Sequence, residues 1–135
     1  MASVGRLTRR PEFLRVADGR RKWVAPGLIL QALERQQPSE AAADGRREAR
    51  VGFTASAKVG NAVARNRARR RLKAAAAELL PRHGRPETDY VLIARMETLR
   101  RPFPALLQDL EAALRRLRCY VEDADAATAP GPGTG

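Results

Sequence analysis

The chain has 135 residues, 44% of them hydrophobic and only 4% aromatic, which predicts one domain with an aliphatic core. It carries 26 Lys and Arg against 15 Asp and Glu, a net charge of +11. Residues 1–73 hold 18 basic and 6 acidic residues, so the whole excess lies in that part. This excess predicts a polyanionic partner, because neutralising phosphates releases condensed counterions.

Cysteine content and hydropathy exclude several classes of protein. Cys119 is the single cysteine, which excludes a disulfide framework and a cysteine-based metal site. The N-terminus has no apolar signal core, and no apolar stretch reaches the roughly 18–20 residues of a membrane span. We therefore expect a soluble, cytoplasmic protein with no membrane partner.

The first half of the chain predicts one helix and at least two strands. A short helix covers residues 8–19, with Pro11 in its first turn and Gly19 at its end. An apolar strand covers residues 28–33, and the segment "RRKWV" before it leaves room for a further strand. Residues 35–48 are predicted as an exposed loop, and period-two alternation predicts a strand over residues 49–57.

The second half predicts a long helix, a strand and an amphipathic helix. The long helix extends from Asn61 to Leu80, and we expect Pro81 to end it. A β-branched strand follows at residues 89–96. The last helix, residues 102–120, carries its apolar residues at helical spacing: Phe103, Leu106, Leu107, Leu110, Leu114 and Leu117. Residues 1–121 therefore form one α+β domain, a two-layer sandwich of helices on one sheet, and residues 122–135 a disordered tail.

The long helix combines a core-facing stripe with a dense run of arginines. On a helical wheel centred on Leu72, Asn61 and Arg65 lie within about 40° of the core-facing direction. Half-buried arginine needs partners, yet residues 49–77 contain no acid that could pair along the helix. Either the N-terminal half extends past the sheet edge, or hydrogen bonds hold Asn61 and Arg65 at the rim of the core. The missing acids favour an external anion over a merely solvated charged helix.

The segment "RVGFTASAKVGNAVARNRARRRLK", residues 50–73, resembles the signature of the protein subunit of bacterial ribonuclease P. The strand "DYVLIAR", the opening "RLTRRPEFLRVADG" and the last helix extend this resemblance over about residues 5–120. The resemblance implies a ribosomal-protein-like sandwich of helices on one mixed sheet. It also implies a left-handed strand–helix–strand crossover starting near Gly60, against the usual right-handed rule.

The resemblance further implies a function for the chain. The protein would bind the catalytic RNA of ribonuclease P and the 5′ leader of precursor tRNA, and so promote removal of that leader. The RNA subunit would carry the active site and its Mg²⁺ ions, leaving no catalytic residue and no tightly bound metal on this chain. We expect one protein monomer per RNA.

Site residues follow from the resemblance position by position. The RNA-binding set is Lys58, Asn61, Arg65, Asn66, Arg67, Arg69, Arg70, Arg71 and Lys73. The leader-binding cleft is Phe13, Val16, Ala17, Gln31, Thr54 and Ser56. Ala17 and Gln31 stand where the family often has aromatic residues, and Ala57 replaces a basic one. Trp23 either compensates for the missing aromatics or anchors the core.

Other chemistries find little support in the sequence. His83 lies in a predicted turn and is interpreted as a solvated loop residue rather than a general base. No His, Cys, Asp and Glu cluster has metal-ligand spacing, and no glycine-rich loop matches a nucleotide site. The alternative function is a structural RNA-binding protein, such as a ribosomal protein or RNA chaperone, with no role in cleavage. The Arg-Asn-Arg block favours the ribonuclease P hypothesis.

Overall fold

A computed structural model describes residues 4–35 and 48–122. Predictions for residues 36–47 and 123–135, most of the loop and of the tail, lie outside the described residues. Within these ranges one sheet is flanked by three α-helices. The elements are β1 (Val4–Arg6), α1 (Arg10–Asp18), β2 (Lys22–Val24), β3 (Leu28–Glu34), β4 (Ala49–Thr54), α2 (Ala62–His83), β5 (Thr88–Ala94), a short 3₁₀ helix (Met96–Leu99) and α3 (Phe103–Arg116).

The sheet is mixed and has the strand order β1-β4-β5-β3-β2. β4 is parallel to both β1 and β5, whereas β3 is antiparallel to both β5 and β2. This arrangement confirms the predicted α+β sandwich. Strand β1 was not predicted, because its three residues are too few to show a period-two pattern.

The two faces of the sheet carry different helices. Side chains of Leu30, Tyr90 and Leu92 face α2 and α3 and are fully buried in the main core. On the other face, Val16 of α1 is fully buried against Leu7 and Val91 in a smaller cluster. The inner strand β5 is therefore covered on both faces, whereas the edge strand β2 is exposed.

Hydrogen bonding fixes the hand of the β4–α2–β5 crossover. The Val51 carbonyl accepts a hydrogen bond from the Leu7 amide at 3.0 Å, on the β1 side, while its side chain is buried beneath α2. In a strand of L-residues that runs upward, with the side chain pointing toward the viewer, the carbonyl of the same residue points to the right. Seen from α2, β1 therefore lies to the right of β4, and β5 lies to the left. The crossover is left-handed, which confirms the expectation against the usual rule.

Several element boundaries differ from the predictions: the last helix ends at Arg116 rather than at residue 120, and the strand predicted over residues 89–96 covers Thr88–Ala94. Strand β4 ends at Thr54 because residues 56–60 form tight turns, with the Val59 amide donating to the Ser56 carbonyl at 3.0 Å. Helix α2 continues past Pro81 to His83, since proline near a helix end removes only one backbone hydrogen bond. No helix within the described ranges is long and apolar enough to cross a membrane.

The interpretation of His83 as a solvated loop residue is wrong. His83 is the last residue of α2 and is half-buried. Its ring stacks on Tyr120 with centroids 4.5 Å apart, and its Nδ1 lies 2.9 Å from the Val121 carbonyl oxygen. His83 therefore fastens the segment after α3 to the end of α2.

Candidate nucleic-acid interface

The turn before α2 sets the position of its first basic side chains. Gly60 has a φ of +146°, a conformation that side-chain-bearing residues rarely adopt, and a Cβ there would lie 2.9 Å from that of Ala64. The Asn61 side chain caps the helix by accepting from the Ala64 amide at 2.9 Å. Arg65 Nη1 donates to the Gly60 carbonyl at 3.0 Å. Both side chains are therefore held by hydrogen bonds, as one of the two alternatives expected, but only Arg65 is half-buried, whereas Asn61 is exposed.

The basic side chains of α2 spread over its exposed surface. Arg67, Arg70 and Lys73 are exposed, as are Lys58 and Asn66. Arg69 is half-buried and donates to the Asn66 side chain, while half-buried Arg71 donates to the backbone carbonyls of Leu99 and Arg101. Across the described residues, no arginine of the segment 65–71 forms an ion pair with a carboxylate. This surface retains its positive charge for an external anion.

An open groove of about 600 Å³ lies between α2 and the segment that leads into α3. Five arginines line it: Arg67, Arg70, Arg71, Arg100 and Arg101. The apolar part of the lining consists of Ala74, Pro102 and Phe103. Three of the predicted RNA-binding residues therefore meet two arginines that the sequence analysis did not select. The pair "RRP" at residues 100–102 was a visible signal, but its proximity to α2 is a tertiary feature.

The opposite face of the sheet carries a cleft beside α1. Strand register aligns a row of side chains across four strands: Val24, Ile29, Ile93 and Thr54. A second row lies next to it, nearer α1: Lys22, Gln31, Val91 and Gly52. The first row is partly open to solvent, since Val24 is 47% exposed. The floor is thus apolar with a lysine beside it, a combination that suits nucleobases and phosphates.

Phe13 forms the wall of this cleft on the α1 side. A Cβ at residue 52 would lie 2.5 Å from two atoms of the Phe13 ring, so only glycine lets the ring rest directly on β4. Phe13 remains half-buried, and neighbouring Leu14 is 49% exposed. The ring is therefore fixed by the sheet and still accessible at the cleft.

The structure places the other predicted cleft residues at different depths. Gln31 and Thr54 are half-buried in the two rows of the floor, while Ala17 and Ser56 are exposed at the margins. Val16 has no exposed surface and packs between α1 and the sheet. Val16 thus supports the wall rather than lining the accessible cleft.

Trp23 lies on the other face of the sheet from the cleft. Its register partner is Leu30, whose side chain points toward α3, and the Arg116 guanidinium of α3 lies 5.1 Å from the Trp23 ring centroid. The Trp23 side chain is 37% exposed at the sheet edge. Trp23 therefore does not replace the aromatic residues missing from the cleft, and it packs at the edge beside α3.

A buried carboxylate holds α1 on the sheet. The fully buried Asp89 of β5 accepts hydrogen bonds from three arginines: from Arg50 at 2.7 and 2.8 Å, from Arg35 at 2.7 Å and from Arg15 of α1 at 2.9 Å. Arg50 also donates to Glu12 at 3.1 Å, and Glu12 accepts from the Thr8 and Arg9 amides at the start of α1. The network joins β4, β5 and α1, and it was not predicted from the sequence.

Electrostatics keep both acids of this network ionised. Burial by itself raises the pKa of Asp89, but the hydrogen bonds and charges of Arg50 and Arg35 outweigh it and hold the pKa below its ordinary value. For Glu12 the raising effect of burial is likewise outweighed, by the Arg9 and Thr8 amides and by Arg50, so its pKa is lowered. The carboxylates therefore act as fixed anions, not as proton carriers near neutral pH.

The described residues contain no group of three His, Cys, Asp or Glu side chains that could hold a metal ion. Their two buried carboxylates are engaged, Asp89 as above and Asp109 by Arg101 at 2.8 Å. The arrangement provides guanidinium groups for phosphates and an apolar cleft with an accessible aromatic ring. These features define an α+β protein with candidate RNA-binding surfaces on both faces of its sheet.

Comparisons with known proteins agree with this class. The family model described as Ribonuclease P matches residues 1–118. The ribonuclease P protein component of Paramagnetospirillum magneticum is 54% identical over 129 residues, which cover 96% of this chain and 93% of that relative. The corresponding protein of Ruegeria pomeroyi is 52% identical over 112 residues, covering 82% and 84% of the two chains. The chain belongs to the ribonuclease P protein family.

Solved structures confirm the fold of this family. The RNase P protein of Staphylococcus aureus aligns with a TM-score of 0.64 at 18% identity, covering 86% of this chain and 97% of that one. The RNase P protein from Thermotoga maritima aligns with a TM-score of 0.60 at 20% identity, covering 84% and 94%. The fold is thus shared at low sequence identity.

We predict that Asp89→Asn lowers the free energy of unfolding by roughly 3 kcal/mol, because it removes the anion from a buried ion-pair network. The folded-state pKa of Asp89 lies below its unfolded value of 3.8. Its contribution is therefore present above that value and is lost as the pH falls through the folded-state pKa. Urea unfolding of both proteins at a series of pH values measures the difference.

The matched control is Glu34→Gln, which removes the exposed Arg85–Glu34 pair and should change stability by less than about 1 kcal/mol. A stability difference between wild type and Asp89→Asn that stays constant as the pH falls below 3.8 would contradict the role assigned to Asp89.

Proposed function

We propose that this protein binds the catalytic RNA of ribonuclease P and the 5′ leader of precursor tRNA, and thereby promotes leader removal. The family supports the activity, since relatives that match most of the chain are ribonuclease P protein components. The observation that carries the residue-level proposal is the arginine segment 65–71 of α2, which forms no ion pair with a carboxylate among the described residues.

The catalytic RNA is assigned to the surface around α2. Arginine forms bidentate, charge-assisted hydrogen bonds with phosphate, and the N-terminus of a helix adds a favourable dipole for an anion. Lys58, Arg65 and Arg67 lie at or next to that N-terminus, with the Asn61 cap between them. A folded RNA would lose condensed counterions on binding here, so affinity should depend strongly on salt.

The leader is assigned to the cleft beside α1. An unpaired leader exposes base faces that can stack on Phe13, and its backbone can reach Lys22 at the side of the floor. Of the residues predicted to line the cleft, Phe13 alone is aromatic, because Ala17 and Gln31 stand where the family often has aromatic residues. Binding by stacking and shape rather than by base edges would tolerate many leader sequences.

Chemistry belongs to the RNA subunit in this proposal, and the Mg²⁺ ions bound there would activate water for hydrolysis of the phosphodiester. The residues of this chain bind and orient: the α2 surface holds the catalytic RNA, and the cleft holds the substrate leader beside it. Positive charge also reduces the repulsion between two RNAs, so less Mg²⁺ is needed to bring them together.

We also propose that one copy acts on each catalytic RNA, in the cytoplasm. The like charge of the α2 surface disfavours contact with a second copy through that face. The precursors that this enzyme would process are transcribed in the cytoplasm of bacteria.

The first prediction is that the protein stimulates cleavage of a precursor tRNA by a bacterial ribonuclease P RNA at low Mg²⁺. The reason is that its positive charge replaces part of the Mg²⁺ that screens RNA–RNA repulsion. Single-turnover cleavage at a few Mg²⁺ concentrations, with and without protein, measures the effect. Tight RNA binding with no stimulation would instead support the structural RNA-binding alternative.

The second prediction concerns the leader. In the complex with the catalytic RNA, Phe13→Leu should reduce the preference for precursor over mature tRNA about fivefold, since a stacked base contributes roughly 1–3 kcal/mol. Leucine keeps much of the packing but removes the ring. Competition binding with the two tRNAs measures the preference.

Phe53→Leu is the matched control, because Phe53 is a half-buried phenylalanine on the other face of the sheet. It should leave the preference for precursor tRNA unchanged. Equal effects of the two variants would show that the cleft does not read the leader through Phe13.

A further inference from the structure

We propose that the groove between α2 and the segment before α3 is a binding site for RNA phosphates, with Arg100 as a contact residue outside the Arg-Asn-Arg block. The catalytic RNA occupies this groove, while the leader lies on the opposite face of the sheet. The identity of the RNA rests on the proposed function, whereas the phosphate chemistry of the groove does not.

The two walls of the groove come from different parts of the chain. Arg67 and Arg70 are exposed on α2, and Arg100 is exposed at the end of the 3₁₀ helix. Within the described ranges, none of these three side chains has a hydrogen bond or an ion pair. Three guanidinium groups with all donors available thus face a common space.

Buried contacts fix the second wall against the first. The Arg71 guanidinium of α2 donates to the Leu99 and Arg101 carbonyls, which ties the end of the 3₁₀ helix to α2. Arg101 is held in turn by Asp109 of α3, which also accepts from the Gly27 amide at 3.0 Å. The two walls of the groove are therefore held together before an anion binds, and only the exposed arginine side chains remain to be ordered.

The charge balance of the groove is strongly positive. Asp109 is engaged by Arg101, and Glu97 of the 3₁₀ helix is the other acid close to that arginine. Arg71 is half-buried without a carboxylate, and its Nε is buried with no hydrogen-bond partner among the described residues. An anion bound in the groove would lie close to Arg71 and supply the negative charge that this arginine lacks.

The lining of the groove distinguishes RNA from a small anion. Ala74, Pro102 and half-buried Phe103 add apolar surface to the lining of the groove. A free phosphate would gain nothing from this apolar surface, whereas a nucleotide chain presents sugar and base surface next to each phosphate. The chemistry matches a phosphodiester backbone with its sugars.

The position of the groove determines which RNA can reach it. The groove is built on α2 and α3, and the Phe13 cleft is on the face covered by α1. A single-stranded leader held at the cleft would have to pass around the sheet edge to enter the groove. The second RNA of the complex, the catalytic RNA, meets the groove directly.

The test compares Arg100→Ala with Arg116→Ala, an exposed arginine of α3 outside the groove, so that both variants lose the same charge. Arg100→Ala should weaken binding to bacterial ribonuclease P RNA about tenfold, as expected for a charged hydrogen bond. It should also flatten the dependence of log affinity on log salt by about 0.7–0.9. The preference for precursor over mature tRNA should not change.

A second measurement uses inorganic phosphate as the probe, at constant ionic strength against chloride. Phosphate should raise the Tm of wild type and of Arg116→Ala more than that of Arg100→Ala, because it binds the folded groove. If Arg100→Ala matches Arg116→Ala in both RNA affinity and phosphate response, the groove proposal is overturned. A loss of leader preference in Arg100→Ala would overturn the assignment to the catalytic RNA.

These outcomes separate the groove from the proposed function. Should wild-type protein fail to bind or stimulate the catalytic RNA while its phosphate response depends on Arg100, the proposed function fails and the phosphate site stands. If the wild-type protein stimulates cleavage but Arg100→Ala behaves like Arg116→Ala, only the groove proposal is rejected.

Discussion

The ion-pair network around buried Asp89 is the contact on which the cleft depends. An isolated carboxylate under α1 would be strongly disfavoured, and Arg50 and Arg35 from the sheet side stabilise it with short hydrogen bonds. Arg15 and Glu12 then connect that centre to α1. Since α1 is only nine residues long, this network and the packing of Val16 fix its orientation. The position of the Phe13 ring over Gly52 follows.

Arginine has two separate roles in this molecule, and its partners decide which. Around Asp89 and Asp109 the guanidinium groups of Arg35, Arg50 and Arg101 are half-buried and form ion pairs that stabilise the fold. Along residues 65–71 of α2 they have carbonyl or amide partners or none, so the charge of this segment is not neutralised within the described residues. The buried acids Asp89 and Asp109 thus hold the fold, and residues 65–71 of the proposed RNA-binding surface contain no acid. The left-handed crossover places that surface on the opposite face from the cleft.

Local patterns predicted most elements, because periodicity reports which side of a helix or strand is buried. The stripe on α3 and the strand predicted over residues 89–96, observed at Thr88–Ala94, are examples, and Asn61 as the start of α2 is another. Contacts between distant segments could not be predicted in this way. The groove needs Arg100 beside Arg70, and the cleft floor needs the register of four strands. Trp23 shows the same limit, since only its pairing with Leu30 reveals which face it occupies.

The central claim is that the two faces of one sheet meet two different RNAs, and site-specific photo-crosslinking tests it most directly. A cysteine-linked photoprobe at Val24 would report on the α1 face, and one at Ala74 on the groove; the native Cys119 is buried. In the complex of protein, catalytic RNA and precursor tRNA, we predict crosslinks from residue 24 to the leader and from residue 74 to the catalytic RNA. Crosslinks from both positions to the same RNA would contradict the account.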